Sequence, residues 1–163
     1  MKYSKTREVK SPARGTPQSA GIDFFIPNEW NEGLPYSIPP GSRVLIPSGI
    51  KVNVPSGHAL IAFNKSGIAT KTGLIIGACV VDEDYQGEVH LSIINTNQPS
   101  ETFSSNGDAY ATHPGYVTIN PGDKLTQFIL VPVNYANPEE TNLEELYTNA
   151  SERGEGGFGS TGI

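Results

Sequence analysis

Cysteine is nearly missing from this chain: Cys79 stands alone among 163 residues. One thiol cannot build an internal disulfide framework, so a reducing, intracellular and by default cytoplasmic setting is expected. Long apolar runs are missing as well. No stretch approaches the roughly 20 apolar residues that a membrane-spanning helix needs. The opening Met1-Lys2-Tyr3-Ser4-Lys5 leads into no apolar segment of a secretory signal. Basic residues are few, 11 Lys and Arg against 17 Asp and Glu, for a net charge of −6. Displacing counterions from a nucleic-acid backbone takes a field of basic side chains, and no such stripe exists, so general nucleic-acid binding is not expected. His58, His90 and His113 are scattered and no Cys-x-x-Cys occurs, which argues against a zinc site. A chain this acidic holds a polyphosphate only through a local cluster of donors, with a divalent cation to help.

Turn-forming residues, by contrast, are abundant, with 18 glycines and 13 prolines. Apolar or alternating segments recur at 22–26, 43–46, 50–54, 58–63, 74–81, 88–94, 116–119 and 124–133. Pro, Gly, Ser and Asn punctuate the gaps, and no amphipathic helix intervenes. Short strands at this spacing predict an all-β barrel or sandwich. The length suits a single domain over 1–163, with no repeat and no linker. Residues 28–40 and 97–115 read as insertions between strands, the second as a long surface loop or extra hairpin. In 138–147, Asn-Pro followed by acidic residues suits a helix start. Leu143 and Leu146 give that helix only a weak apolar face, so helix and short strand both stay open, with a slight lean to the strand.

Five local patterns carry possible chemistry, and each has an ordinary alternative. The end of the chain, from Arg153 to Gly162, holds five glycines with Phe158, Ser160 and Thr161. It is either a frayed terminus or a phosphate-cradling arm, since glycine lets backbone N–H groups approach an anion closely. Asp82-Glu83-Asp84-Tyr85-Gln86-Gly87 is either an acidic hairpin turn or the mount of a general base. Asn64-Lys65-Ser66-Gly67 offers an ammonium, a hydroxyl and a glycine amide together. Gln127 is polar within an apolar strand, so it faces solvent or a ligand. Asp23 heads a strand, where aspartates commonly serve as turn or cap residues.

Taken in order, AGIDFF, NKSGIA, GACVVDEDYQGEV, PGDKLTQFI and RGEGGFGSTG resemble the five motifs of the homotrimeric dUTPase family. Those motifs are usually written near AGxDL, PRSGLA, GVIDxDYRGE, GDRIAQL and RGxGGFGSTG. The resemblance spans most of the chain, and two motifs match almost letter for letter.

The resemblance implies a jelly-roll-like β-barrel, three copies sharing three active sites, and hydrolysis of dUTP to dUMP and pyrophosphate with Mg²⁺. It places Asp82 as the water-activating carboxylate and Tyr85 as the ring packed on the deoxyribose. Gly77, Ala78 and Cys79 fall on the hairpin that reads uracil with backbone groups. A hairpin built to pair with uracil leaves polar groups unpaired against the wrong base, which is costly. Lys65, Ser66, Gly67 and Gln127 fall on phosphate contacts. Arg153, Gly159, Ser160 and Thr161 belong to the mobile C-terminal arm, 151–163, that closes over the γ-phosphate, and Phe158 stacks on uracil. Asp23 matches an aspartate that meets Mg²⁺ through water, the ion being held mainly by substrate phosphates. Asp84 is read as a structural partner within its turn, and Cys79 as a packed small residue.

Two departures stand out. Lys65 replaces the usual arginine, which keeps the charge and loses the bidentate fork. Residues 97–115 lengthen a connection that is short in the family and could recruit a regulatory protein. A dCTP deaminase would share the fold, but the DEDYQG turn and the complete glycine-rich ending favour dUTP hydrolysis.

Overall fold

The computed structural model describes residues 1–99 and 115–156, with the backbone of 102–103 and 109–110. In chain order the strands begin with β1 (Lys2–Lys5), β2 (Ala13–Arg14), β3 (Ile22–Phe24), β4 (Tyr36–Ile38), β5 (Arg43–Asn53) and β6 (His58–Asn64). A short helix α1 (Ser66–Thr72) precedes β7 (Leu74–Ile76), β8 (Val80–Val81) and β9 (Glu88–Asn95). Then come β10 (Thr102–Phe103), β11 (Ala109–Tyr110), β12 (Val117–Ile119), β13 (Thr126–Pro132) and a helical turn α2 (Leu143–Leu146).

Two main sheets result, one ordered β1-β5-β9-β7 and the other β2-β3-β13-β6-β8, with β12 pairing β4 and β10 pairing β11. Every ladder is antiparallel. Alternation explains how they meet. In β9, Val89, Leu91 and Ile93 are buried while the residues between them are not, so one face of the strand turns inward. Ile46, Ile50 and Val52 of β5 join them, and Phe24, Leu60 and Phe128 reach the same cluster from the second sheet. Phe24 and Phe128 are tilted against each other with ring centroids 4.4 Å apart. The chain is thus mostly β, as the strand spacing predicts, and the two sheets share one core.

Several boundaries differ from the sequence reading, for local reasons. Segments 43–46 and 50–54 are one strand, β5, whose register shifts between Pro47 and Lys51. Gly49 takes a φ of 73°, and its N–H donates to Glu88 Oε1 at 2.6 Å, so the irregularity is absorbed as a bulge. The apolar run 74–81 divides the other way: β7 pairs with β9 in one sheet and β8 with β6 in the other. Residues 28–40 hold a strand of their own, β4, and Ile38 within it is fully buried. Residues 143–146 form a helical turn, not the expected strand. Asn142 caps it by accepting the Glu145 N–H at 3.1 Å, which outweighs the weak apolar face.

Candidate active site

Two clusters of the predicted residues are assembled by the sheets. The first surrounds the crossing from β7 to β8. There the Gly77 N–H donates to the Ser92 carbonyl at 2.9 Å and the Ala62 N–H to the Cys79 carbonyl at 2.7 Å. The Ile76 N–H donates to Asn64 Oδ1 at 2.8 Å. The short crossing is therefore held to both sheets through its backbone. Gly77 has no room for a side chain, since a Cβ there would sit 2.6 Å from Ser92 Oγ. Cys79 is exposed, contrary to the packed position expected: its carbonyl is used by the sheet, and its side chain lines an open cleft.

That cleft holds about 180 Å³, and Ala78, Cys79, Asp82, Tyr85, His90 and Ser92 are among its walls. Asp82 directly follows β8 and is exposed, and it also lines a second hollow of about 560 Å³ beside His58 and Tyr135. The turn after it closes with the Tyr85 N–H on the Asp82 carbonyl at 3.3 Å. Tyr85 folds back so that its hydroxyl donates to the Glu88 carbonyl at 2.9 Å. The ring covers Gly87, where any Cβ would collide with it. Glu88 in turn accepts from Arg7 Nε at 3.0 Å and from the Gly49 N–H. Partial burial would raise its carboxyl, but the bonds from Arg7 and Gly49 hold it below the ordinary glutamate value.

The second cluster joins the first, second and fourth motifs. Asp23 is buried, with its carboxylate shared between two ammonium groups: Lys65 on Oδ1 and Lys124 on Oδ2, the latter at 2.9 Å. Burial works to raise its carboxyl, yet the hydrogen bonds and charges of Lys65 and Lys124 outweigh it and hold the group below its usual value. Gln127 faces neither bulk solvent alone nor the core. Its side chain lies against Gly21, and its amide nitrogen donates to the Asn64 carbonyl at 2.8 Å. Ser66 and Gly67 open α1 immediately after, and nothing crowds Gly67.

The sequence profile of dUTPases matches residues 7–106, more than half of the chain. The chain belongs to the dUTPase family. It is 33% identical over 159 residues to a deoxyuridine 5'-triphosphate nucleotidohydrolase of Variola virus, covering 98% of this chain and 90% of that one. A Maricaulis maris protein of the same name is 37% identical over 156 residues, covering 93% and 86%. Among solved structures, Staphylococcus bacteriophage 80alpha dUTPase with dUPNHPP superposes with a TM-score of 0.78 at 25% identity, covering 99% and 98%. The dUTPase from phage phi11 of S. aureus, described with a species-specific insert, gives 0.69 at 25% identity, covering 91% and 98%.

In this dUTPase-family chain the remaining predicted residues fall elsewhere. Arg153 lies in an exposed segment and donates to the Gly156 carbonyl at 2.6 Å, within its own turn. Phe158, Gly159, Ser160 and Thr161 lie outside the described residues, as does most of 97–115. For the metal, no group of three or more His, Cys, Asp or Glu among the described residues could hold an ion. Asp23, expected to meet Mg²⁺ through water, is the counter-ion of Lys65 and Lys124. Sequence reasoning missed Lys124, Gly21 and Gly87, although all three sit inside the motifs. It also gave Glu83 no part, although its carboxylate accepts from Gly57 and Tyr135.

Proposed function

We propose that this protein hydrolyses dUTP to dUMP and pyrophosphate, with Asp82 as general base. The observation that carries the reading is the cleft itself. Exposed Asp82, Tyr85 and the crossing at Ala78 and Cys79, which Gly77 leads into, border one hollow, in a chain of the dUTPase family.

The chemistry follows from those placements. Uracil enters against the backbone of residues 77–79, whose short connection excludes a 5-methyl group. Tyr85 packs on the sugar and leaves no room for a 2′-hydroxyl. Asp82 orients a water in line with the α-phosphorus and takes its proton as the new P–O bond forms. The bond from the α-phosphorus to the bridging oxygen breaks, and pyrophosphate leaves with that electron pair. Lys65, Ser66, Gly67 and Gln127 receive the phosphates, and their fixed donors stabilise charge that grows on the leaving group. Mg²⁺ arrives with the triphosphate as part of the substrate and supplies charge neutralisation there.

A homotrimer is part of the proposal. Residues 134–150 are exposed throughout, and Leu143 is 80% exposed and Tyr147 74% exposed on their own chain. Several exposed apolar side chains gathered in one segment fit a surface that a neighbouring copy covers. Crossing to another copy would also carry Arg153, Phe158, Gly159, Ser160 and Thr161 to a partner's cleft, where closure excludes water. We assign residues 97–115 the part of a contact for a regulatory protein. No helix among the described residues is long and apolar enough to cross a membrane, and a cytoplasmic site of action is proposed with the activity.

The test is a substrate panel. Pyrophosphate release with Mg²⁺ is expected from dUTP and absent from UTP, dCTP and dTTP. Comparable release from UTP would remove the assigned role of Tyr85, and silence with all four would remove the activity.

A further inference from the structure

We propose that Glu83 is the positioning residue of Asp82, fastening the turn that presents the catalytic carboxylate to a second turn at Ser56 and Gly57 and to Tyr135. This rests on the reading of Asp82 as the water-activating group. The family pattern leaves the place of Glu83 open, writing any residue between two aspartates, so the motif itself assigns it nothing. Its environment is nonetheless specific. Glu83 is half-buried, whereas Asp82 and Asp84 on either side of it are exposed.

One oxygen does the fastening. Glu83 Oε2 accepts the Gly57 N–H at 2.7 Å and the Tyr135 hydroxyl at 2.7 Å. These donors, joined by the Ser56 side chain, hold the Glu83 carboxyl below its ordinary value, so it remains an acceptor through neutral pH. The Gly57 carbonyl, in the next peptide, accepts the Val133 N–H at 2.8 Å, which secures the receiving turn to the end of β13. Gly57 takes a φ of 75°, a conformation that glycine adopts without steric cost. Between β8 and β9 the catalytic turn has one internal backbone bond, Tyr85 to Asp82 at 3.3 Å. Glu83 is the side chain that ties this turn to a different part of the sheet. Tyr135 also stands where the chain leaves β13 for the exposed C-terminal segment, so the root of that segment and the catalytic turn share one carboxylate. Glu83 touches no reacting atom in this arrangement. Its effect passes through the placement of Asp82, where an error of about 1 Å can cost roughly 10²-fold in rate.

Because the Gly57 and Tyr135 donors meet the same oxygen, the carbonyl of glutamine can replace the carboxylate toward those two. The experiment measures kcat and KM for dUTP in E83Q, E83A, E83D, Y135F and D82N, with thermal unfolding and native mass for each. E83Q is expected within about 3-fold of the parent. E83A and E83D are expected to lose about 10- to 100-fold in kcat with KM nearly constant, and Y135F to lose less, about 3- to 10-fold. Equal losses in E83Q and E83A would show that charge matters and fastening does not, which overturns the proposal. Parent-like kcat in E83A beside an inactive D82N overturns the role of Glu83 alone. An active D82N removes the role of Asp82 instead, so the two failures are distinguishable. Should E83A fail to fold, Y135F decides: an unchanged kcat in that variant overturns the proposal.

Discussion

The side chain of Gln127 lies across Gly21 and donates to the Asn64 carbonyl at 2.8 Å, so residues from three motifs meet in one contact. A Cβ at position 21 would collide with the Gln127 amide and would also stand 2.9 Å from its Cβ, so the whole side chain must move. G21A is therefore expected to destabilise the fold by about 1–3 kcal/mol. It should also raise KM for dUTP more than it lowers kcat, because Gln127 is placed among phosphate contacts. Urea unfolding and steady-state kinetics check both, and an unchanged KM would detach Gln127 from the substrate.

Tyr85 and Gly87 make a comparable pair nearer the chemistry. With the ring seated over Gly87 and its hydroxyl on the Glu88 carbonyl, G87A leaves Tyr85 no room in this position. The expected outcome is a fall in dUTP turnover together with a smaller preference for dUTP over UTP, since the ring is what meets the 2′ position. Competition between the two nucleotides measures the ratio directly.

Acid sensitivity follows from Asp23 and Glu88, whose carboxyls are both held below their ordinary values in the folded protein. The unfolded chain takes up these protons first as pH falls. The stabilisation is thus fully present above the ordinary carboxylate value of about 4 and is lost as pH drops through the lower folded values. D23N leaves Lys65 and Lys124 without their counter-ion and is expected to cost about 1–3 kcal/mol at pH 7. Its stability should then decline less between pH 5 and 3 than that of the parent. Chemical denaturation across that range provides the check, and parallel pH curves for the two proteins would contradict the assignment.

Much of this was legible in the sequence. Period-two alternation in β9 marks that strand because one of its faces is buried, and the third motif marks Ala78, Cys79, Asp82 and Tyr85 of the cleft. What escaped depended on partners distant in the chain. Nothing local tells that 43–53 continues through a bulge, because the bond that settles Gly49 comes from Glu88, 39 residues away. Glu83 looks like any acid in a turn until Gly57 and Tyr135 are placed beside it. Asp23 reads as a turn or cap residue at a strand head, and its pairing with Lys65 and Lys124 depends on residues 42 and 101 positions away. For 143–146 the helix signal reads at Asn137-Pro138, whereas the cap is Asn142, and the family resemblance pulls the reading toward a strand.

Exposure of Leu143, Leu146 and Tyr147 on their own chain makes the oligomer testable without substrate. Native mass is expected at three times that of one chain, and Leu143→Asp is expected to weaken the assembly at low concentration. A monomer that retains full activity would contradict the shared-site reading.

The account stands most directly on Asp82. Single-turnover release of pyrophosphate from saturating dUTP, compared between the parent and D82N, isolates the chemical step from binding. Loss of roughly 10²- to 10⁴-fold with dUTP affinity preserved is the predicted result for removal of a general base. A D82N protein that turns over within a few-fold of the parent would contradict the account and send the search for the base elsewhere in the cleft.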